Sequence, residues 1–323
     1  MSSVSGEATR VRGKYLVAAD GAHSRVRQKL GIAMRGRGTF SNSVTIYFRA
    51  PLAPLLRGRN LSVIYVTNPI LRGFFRVEKP FHSGFLAINA LGDPDHPITN
   101  VSEGLTDQRC LELIHAALGT NDVPVTIDSV MHWQAEADTA ERFRDGRVFL
   151  AGDAAHVMPP NGGFGGNTGV QDAHNLAWKL ARVLKGDADK SLLNTYDTER
   201  RPVAAFTVEQ AYSRYVTRTA PYLLLANGGS TGIEPIAPDL NVELGYCYPP
   251  ATALHMSPRE SKAEPGTRAP HVIVNGHSTL DWYGWDYVRA GDADHPLDTE
   301  EARAAYGISA GETVLVRPDG FVA

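Results

Sequence analysis

Apolar runs that end in turn residues are the first pattern along the chain. Residues 14–19 are mostly apolar and stop at Asp20-Gly21, which predicts a buried strand followed by a tight turn. Residues 24–30 then have the spacing of a short helix, and Gly31 ends it. We therefore predict a strand, an Asp-Gly turn and a helix in this order.

A different pattern lies between residues 43 and 133. Short stretches with partial alternation of apolar and polar residues are separated by Pro, Gly, Asn and Asp. The strand candidates are residues 43–48, 61–66, 73–77, 84–91 and 126–133, and residues 106–118 have helical spacing. This pattern predicts an antiparallel sheet with one helix, inserted into a nucleotide-binding fold.

The strand-and-turn pattern returns at residues 147–151, an apolar run that ends at Gly152-Asp153. A glycine-rich loop, residues 159–166, follows it. The clearest helical pattern in the chain comes next, over residues 168–185, with one apolar stripe and Gly186 in place to end it. The second unit is therefore also a strand, a turn with an aspartate, and a helix.

The rest of the chain predicts further helices and a small final unit. Residues 191–218 have the pattern of another long helix, interrupted or restarted at Pro202. Residues 220–238 are rich in Gly, Pro and Ser, which is typical of a linker or an irregular crossing. Two apolar strand candidates follow, residues 272–274 and 313–316, with helical patterns between them. We expect a small α/β domain there.

Composition narrows the class of protein. The chain has 323 residues, 43% hydrophobic and 21% charged, with a formal net charge of −3, as in ordinary soluble domains. Because no basic cluster is present, nucleic-acid binding is not expected. Cys110 and Cys247 are far apart, so neither a CxxC motif nor a zinc motif is predicted. One disulfide between them stays open, and a reduced protein is the simpler interpretation. The polar start and the lack of a long apolar run favour a cytoplasmic protein without a membrane span.

One carboxylate stands where ligands of open α/β sheets bind. Asp153 follows a buried strand, and an aspartate at the carboxyl end of a strand can accept hydrogen bonds from ribose-like or ribityl hydroxyls. The helix that begins near Asn167 would direct its positive N-terminus to the same place. The alternative is a plain connection without a ligand. Five glycines within residues 162–169 favour the ligand, because each one costs conformational entropy on folding.

Two motifs in this order resemble those of a known family. Residues 15–27, YLVAADGAHSRVR, are similar to the DG motif of class A flavoprotein monooxygenases, the para-hydroxybenzoate hydroxylase type. Residues 146–169, with GD and then PPNGGFGGNTG, resemble the GD motif of the same family. The glycine-rich run and the final residues 314–323 are most similar to hydroxylases of polycyclic polyketides, which carry a thioredoxin-like terminal domain.

The resemblance implies an α/β (α+β) fold. It would contain a partial FAD-binding Rossmann-like domain, an inserted antiparallel β-sheet substrate domain and a C-terminal thioredoxin-like domain, which lacks CxxC and so has no expected redox role. The implied boundaries are 1–40 for the first FAD-binding part, 41–140 for the substrate domain, 141–220 for the second FAD-binding part, 221–262 for a linker and 263–323 for the terminal domain.

The resemblance also implies cofactors and roles. FAD would be reduced by NADPH or NADH, and O2 would then form a flavin C4a-hydroperoxide that hydroxylates a bulky aromatic, polyketide-like substrate. Asp153 would bind the ribityl chain, Asp20 would serve the pyrophosphate side, and Arg25 would support the DG turn. The implied cofactor-binding residues are Asp20, Gly21, Arg25, Gly152, Asp153, Pro159, Gly163, Gly165, Gly166 and Asn167. No catalytic residue is assigned, and the oligomeric state is left open.

A GxGxxG loop, with which members of this family begin, is not found in the sequence. We therefore expect a truncated form: a fragment, a start assigned too late, or a natural short protein with a partner. Such a chain alone is expected to bind FAD weakly or not at all. Two other functions stay open. One is a related flavoprotein that performs Baeyer–Villiger-type oxygenation or oxidative decarboxylation, and the other is a non-catalytic protein that binds an aromatic metabolite.

Single residues in these segments have plain interpretations. His156 is favoured as a hydrogen-bonded structural histidine over a catalytic base. Trp133 contacts either the substrate or the core, and neither is preferred. Arg76 and His82 are expected on the surface. The aromatic cluster of residues 282–287 is predicted to lie in the core or an interface of the C-terminal domain.

Overall fold

A computed structural model describes residues 10–61, 63–92, 97–226 and 232–323 of the protein. Predictions that fall on residues 1–9, 62, 93–96 and 227–231, among them the polar start of the chain, lie outside the described residues. None of the helices in the described ranges is both long and apolar enough to span a bilayer.

The described ranges contain short strands at both ends and longer ones between them. The strands are β1 (Leu16–Ala18), β2 (Met34–Arg49), β3 (Val63–Thr67), β4 (Leu71–Glu78), β5 (Ser83–Leu91), β6 (Thr126–Ala140), β7 (Arg144–Asp145), β8 (Val148–Leu150), β9 (His156–Val157), β10 (Ile273–Val274), β11 (His277–Ser278), β12 (Val288–Ala290) and β13 (Val314–Val316). The α-helices are α1 (Arg25–Lys29), α2 (Ala53–Leu56), α3 (Asp107–Leu118), α4 (Phe164–Lys185), α5 (Thr195–Arg214), α6 (Tyr222–Ala226), α7 (Asp239–Glu243) and α8 (Glu300–Tyr306).

The two strands that end in aspartate turns lie side by side. β1 and β8 pair in parallel, with Leu16 opposite Val148 and Ala18 opposite Leu150, and β7 extends this sheet to three strands. Ala18 and Leu150 are buried in a core shared with α4 and α5. Because parallel strands point the same way, both aspartate turns emerge at one edge of the sheet.

The antiparallel sheet predicted between the two motifs is present. Its six strands have the order β3-β4-β5-β2-β6-β9. On one face of β2, Val44, Ile46 and Phe48 alternate with the residues between them and pack against Leu113 and Ile114 of α3. The helix therefore covers one face of the sheet, and β6 also packs on α5 through Ala135 and Ala137.

Two strands are longer than the sequence pattern predicts. β2 begins at Met34 instead of residue 43, and β6 continues to Ala140 instead of residue 133. The start of β2 is rich in Gly and Arg and lacks alternation, so its extended form comes from pairing with β6. Gly36 permits this pairing, because an added Cβ would lie 2.2 Å from the carbonyl oxygen of Ala137. β2 also crosses the predicted domain boundary at residue 40.

The two long helices also differ from their predictions. α4 begins at Phe164, four residues before the predicted start, because Gly163 takes a left-handed φ of 70° and turns the chain into the helix. Gly165, Gly166 and Asn167 therefore lie in the first helical turn and not in a loop. α5 runs through Pro202 without interruption and ends in a π-helical turn, Tyr215–Thr219.

The final region has the mixed α/β content that the sequence predicts. β10 and β11 form one antiparallel pair, β12 and β13 form another, and α8 packs with them around buried Val274, Tyr306 and Val316. The described part of the predicted linker is packed as well. Tyr246 and Tyr248 are buried, and the ring of Tyr248 stacks on Phe321 at 4.2 Å.

Candidate functional site

The turns after β1 and β8 open into one cleft of about 610 Å³, called here the main cleft. Its walls are both aspartate turns, the first turn of α4 and the strand β6. The lining residues are Ala22, His23, Asn42, Ser102, His132, Trp133, Gln134, Glu136, Asp153, Val157, Met158 and Gly165. The fold therefore brings together the two motifs and the antiparallel sheet, which are separated in sequence.

Asp153 presents an exposed carboxylate to the main cleft. It lies in the 3-10 turn Gly152–Ala154, in which the Ala155 N–H donates to the Gly152 carbonyl at 2.7 Å. Gly152 takes a left-handed φ of 60°, so a glycine is needed there. Among the described residues none donates a hydrogen bond to the Asp153 side chain. The carboxylate is therefore available to hydroxyl groups of a ligand.

The first turn of α4 faces the same cleft without a side-chain cap. Gly163 precedes the helix, and no side chain accepts from the first N–H groups. A Cβ added at Gly163 or Gly166 would meet no atom within 4 Å, so the approach to these groups is open. Asn167 donates from Nδ2 to the Gly163 carbonyl at 3.2 Å. Free N–H groups and the helix dipole make this end a suitable site for negative charge.

Asp20 is engaged locally. Its carboxylate accepts from the Ser24 hydroxyl at 2.5 Å and from the Val26 N–H at 3.2 Å, at the start of α1. Slight desolvation raises the pKa of Asp20, but the hydrogen bonds together lower it by more, so the pKa is below its ordinary value. Asp20 therefore shapes the DG turn, in which Gly21 takes a left-handed φ of 85°.

Arg27 is a residue of this site that the sequence did not reveal. It is buried, and its guanidinium donates to the Ala22 carbonyl and to the Ala154 carbonyl, both at 2.9 Å. It therefore joins the turn after β1 to the turn after β8. Arg25, which was expected to support the DG turn, has an exposed side chain. Arg27 makes its two bonds two residues further along α1, and the role of Arg25 stays a prediction.

A buried carboxylate behind the GD turn was also missed. Asp172 of α4 accepts from the Gly152 N–H at 3.0 Å, from His156 Nε2 at 2.8 Å and from Arg200 Nε at 2.8 Å. Burial raises the pKa of Asp172, but the charge of Arg200 and the hydrogen bond from His156 lower it more, so the carboxyl stays ionised. This confirms His156 as a hydrogen-bonded structural histidine.

A second cleft of about 290 Å³, called here the aromatic cleft, adjoins the main cleft. It lies on the face of the antiparallel sheet opposite α3. Its lining residues are Thr45, Tyr47, Phe74, Phe85, Ala87, Trp133, Gln134, Ala135, Met158, Pro159 and Pro160. Trp133, Gln134 and Met158 line both clefts. Trp133 Nε1 donates to Thr45 Oγ1 at 2.9 Å, which fixes the indole ring between the two clefts.

The remaining single-residue predictions have mixed outcomes. Arg76 and His82 are exposed, as expected. Trp282 and Tyr283 pack in the C-terminal core, and Tyr287 contacts Trp178 of α4 with ring centroids 5.9 Å apart. Trp285 is 87% exposed, so it does not lie in this core, and the alternative of an interface stays a prediction. The tryptophan lies in a surface turn, where no neighbouring element covers it.

Parallel strands that end at a free carboxylate, beside an uncapped helix N-terminus, define a site for a nucleotide-type cofactor. The sequence profile of the FAD-binding domain family matches residues 1–211. The chain belongs to this family.

Individual relatives are similar over almost the whole chain. A 4-methyl-5-nitrocatechol 5-monooxygenase of Burkholderia sp is 48% identical over 99% of this chain and 66% of the relative. A putative polyketide hydroxylase of Streptomyces halstedii is 40% identical over 99% of this chain and 65% of that relative. The crystal structure of aklavinone-11 hydroxylase with FAD and aklavinone superposes with a TM-score of 0.85, at 34% identity, over 96% of this chain and 63% of that one. The chain spans about two thirds of the length of these relatives.

The residues at the main cleft fit the cofactor of the family. An unpartnered carboxylate at Asp153 suits a polyhydroxylated chain, and open N–H groups at Gly165 and Gly166 suit the polar edge of a flavin ring. A Cβ at Gly163 would meet no atom, so a flat ring has room to lie against this turn.

Proposed function

We propose that the protein to which this chain belongs is an FAD-dependent monooxygenase that hydroxylates a phenolic aromatic ring, with NADPH or NADH as the reductant and O2 as the oxidant. The observation that carries this proposal is the continuity of the two clefts through Trp133 and Met158. A cofactor at Asp153 and an aromatic ring between the side chains of the sheet would lie next to each other. FAD, when bound, supplies the oxygen-transfer chemistry.

The residues of the main cleft have separate roles in this proposal. Asp153 accepts hydrogen bonds from the ribityl hydroxyls, and Gly152 gives the turn its shape. The N–H groups of Gly165, Gly166 and Asn167, with the dipole of α4, stabilise negative charge on the reduced ring. Pro159 and Gly163 would flank the bound ring and help to exclude water from it. Asp20, Gly21 and Arg25 act through the DG turn, since the Asp20 carboxylate is already bonded to α1.

The aromatic cleft supports a flat, electron-rich substrate. Tyr47, Phe85 and Phe74 form a row in this order, with successive ring centroids 5.5 and 6.0 Å apart. Trp133 lines the same cleft and also the main cleft. Stacked and tilted contacts with such rings favour an aromatic ligand over an aliphatic one. The relatives carry names that range from a nitrocatechol to aklavinone. A bulky polycyclic substrate stays a prediction, and a one-ring phenol is its direct competitor.

The binding half of the proposal is tested with the purified whole protein to which this chain belongs, and FAD is the probe. Titration with FAD, followed by flavin fluorescence, gives the cofactor affinity of the wild type and of Asp153→Asn. Because charge-assisted hydrogen bonds are lost, the affinity of the variant is expected to fall about tenfold or more. Asp128→Asn is the matched control, since Asp128 pairs with Arg49 on an exposed edge of the sheet and lines neither cleft. Equal FAD affinity in wild type and Asp153→Asn would contradict the role of Asp153.

The catalytic half is tested by turnover with FAD in excess. NADPH consumption is measured with 4-nitrocatechol and with 1-hydroxyanthraquinone, and mass spectrometry follows the expected product, which has gained one oxygen atom. Greater consumption with the anthraquinone supports the bulky substrate, and the reverse supports the one-ring phenol. Saturable quenching of Trp133 by either probe without NADPH consumption would overturn the proposal in favour of a non-catalytic binding protein.

A further inference from the structure

Asp172 has three hydrogen-bond donors around one fully buried carboxylate. The Gly152 N–H and His156 Nε2 donate to Oδ2, and Arg200 Nε donates to Oδ1. The adjacent Arg200 charge and these donors together favour the ionised carboxylate, which accepts hydrogen bonds and donates none. Arg200 is itself fully buried and also donates to the Thr168 carbonyl at 3.2 Å, which keeps its charge beside Asp172. The three donors belong to the turn after β8, to β9 and to α5.

The bond to Gly152 reaches the residue next to Asp153. On this side the turn also packs directly on α4, because a Cβ at Gly169 would lie 3.2 Å from Gly152 Cα. On the other side Arg27 donates to the Ala154 carbonyl. The turn that carries Asp153 is therefore fixed from both sides, and Asp172 is its only charged anchor on α4 among the described contacts.

We infer that Asp172 is a positioning residue that holds the Asp153 carboxylate at a fixed place relative to the N-terminus of α4. Asp172 lies on the helix whose first turn offers the free N–H groups. A bond from this helix to Gly152 thus couples the two features to which the cofactor binds. The link to cofactor binding rests on the proposed function, whereas the bond between Asp172 and Gly152 concerns only residues of this chain.

Glu199 provides a matched control for a purely structural role. It is a second carboxylate buried between α4 and α5, and it also accepts from three side chains: Asn175 at 2.7 Å, Lys179 at 2.7 Å and Arg317 at 2.8 Å. None of its hydrogen bonds among the described residues goes to the turn that carries Asp153. If Asp172 acts only by filling the core with a satisfied charge, neutralising either carboxylate has the same effect on that turn.

The test compares Asp172→Asn with Glu199→Gln by amide hydrogen exchange in the absence of FAD. The Gly152 amide is expected to exchange about tenfold faster in D172N, because one charge-assisted hydrogen bond is weakened, and to be unchanged in E199Q. With FAD present, D172N is expected to lose about tenfold in affinity, and E199Q less than about twofold. Equal Gly152 exchange in the two variants would overturn the inference.

Two further measurements keep the test decisive. If D172N does not fold, exchange in the wild type serves instead: the Gly152 amide must be protected as strongly as that of Leu150, which donates to the Phe143 carbonyl at 2.8 Å. Rapid exchange at Gly152 beside a protected Leu150 would refute the anchor. If D172N frees Gly152 but the wild type of the whole protein to which this chain belongs binds no FAD, the anchor stands and the proposed function fails.

Discussion

Lys179 is a buried cation whose pKa is set by opposing contributions from burial and neighbouring charges. Its Nζ donates to Glu199 at 2.7 Å and to Asn175 at 2.8 Å, and Arg317 donates to the same Glu199 oxygen. Burial lowers the pKa of Lys179 to about 8, because desolvation and the nearby Arg317 outweigh the attraction of Glu199 and Asp319. A lysine held in this way titrates in a range where unfolded lysine is still charged.

We predict that Lys179 makes the protein more stable as the pH rises above about 8. In the unfolded chain Lys179 has its ordinary pKa of 10.5, and in the folded chain its pKa is about 8. Between these two pH values the unfolded state therefore binds more protons than the folded state. The free energy of unfolding should therefore rise by about 1.4 kcal/mol per pH unit in that range from this residue. Urea unfolding of wild type and Lys179→Met at about pH 7 and pH 9.5 measures it. If the difference in free energy of unfolding between wild type and Lys179→Met is the same at both pH values, the lowered pKa of Lys179 is contradicted.

At the scale of the element, α4 uses its glycines for two different purposes. Gly165 and Gly166 leave the first turn open to a ligand, whereas Gly169 allows the turn after β8 to approach the helix. Each glycine lowers the intrinsic stability of the helix relative to alanine. The position of a glycine relative to the Asp153 turn therefore decides what an added methyl group does.

We predict opposite effects for two glycine-to-alanine changes in α4. Gly166→Ala should raise the free energy of unfolding by about 0.5 kcal/mol, because the new Cβ meets open space and alanine favours the helix. The free energy of unfolding of Gly169→Ala should be about 1 kcal/mol or more lower than that of Gly166→Ala. The Cβ at position 169 would be 3.2 Å from Gly152 Cα, so the turn after β8 must move. Thermal and urea unfolding without FAD provide the comparison. An equal increase in the free energy of unfolding of both variants would show that the turn at Gly152 accommodates a methyl group at position 169.

Local patterns predicted the elements whose cause is local. α3 has an apolar stripe and a Thr106 cap that accepts from Arg109 N–H, and it was predicted to within a residue. The first turn of α4 was missed because Gly165 and Gly166 have poor helix propensity, and tertiary packing overrides that propensity. The first part of β2 was missed because its own sequence has no strand pattern, and only its pairing with β6 makes it extended.

The candidate site was predictable in part. Asp153 was found because a carboxylate after a buried strand, followed by a glycine-rich loop, is a local pattern. Asp172 and Arg27 were not, because their partners lie 20 and 127 positions away in sequence and only the fold brings them together. An aspartate in the middle of a predicted amphipathic helix was the one sequence signal, and only the fold shows that Asp172 is fully buried, which charged residues rarely are without partners.

At the scale of the whole molecule, one arginine joins the final region to the helices of the FAD-binding family match. Arg317 follows β13 and donates to both oxygens of Glu199 on α5, at 2.9 and 2.8 Å, and to both oxygens of Asp319. Asp319 in turn accepts from Trp178 Nε1 on α4 at 3.0 Å. These groups are largely buried, so water screens them little. The final region and the long helices are therefore expected to unfold together.

We predict that Arg317→Met lowers the free energy of unfolding by about 3–5 kcal/mol, because it leaves Glu199 and Asp319 buried with fewer partners. Arg49→Met, which breaks an exposed pair with Asp128, should cost at most about 1 kcal/mol. In the wild type, far-UV circular dichroism and tryptophan fluorescence should give coincident urea transitions, since Trp178 lies at the junction. In Arg317→Met the fluorescence transition should come first, as the final region separates from α4. Similar losses in the two variants, or separate transitions in the wild type, would show that Arg317 does not couple the two regions.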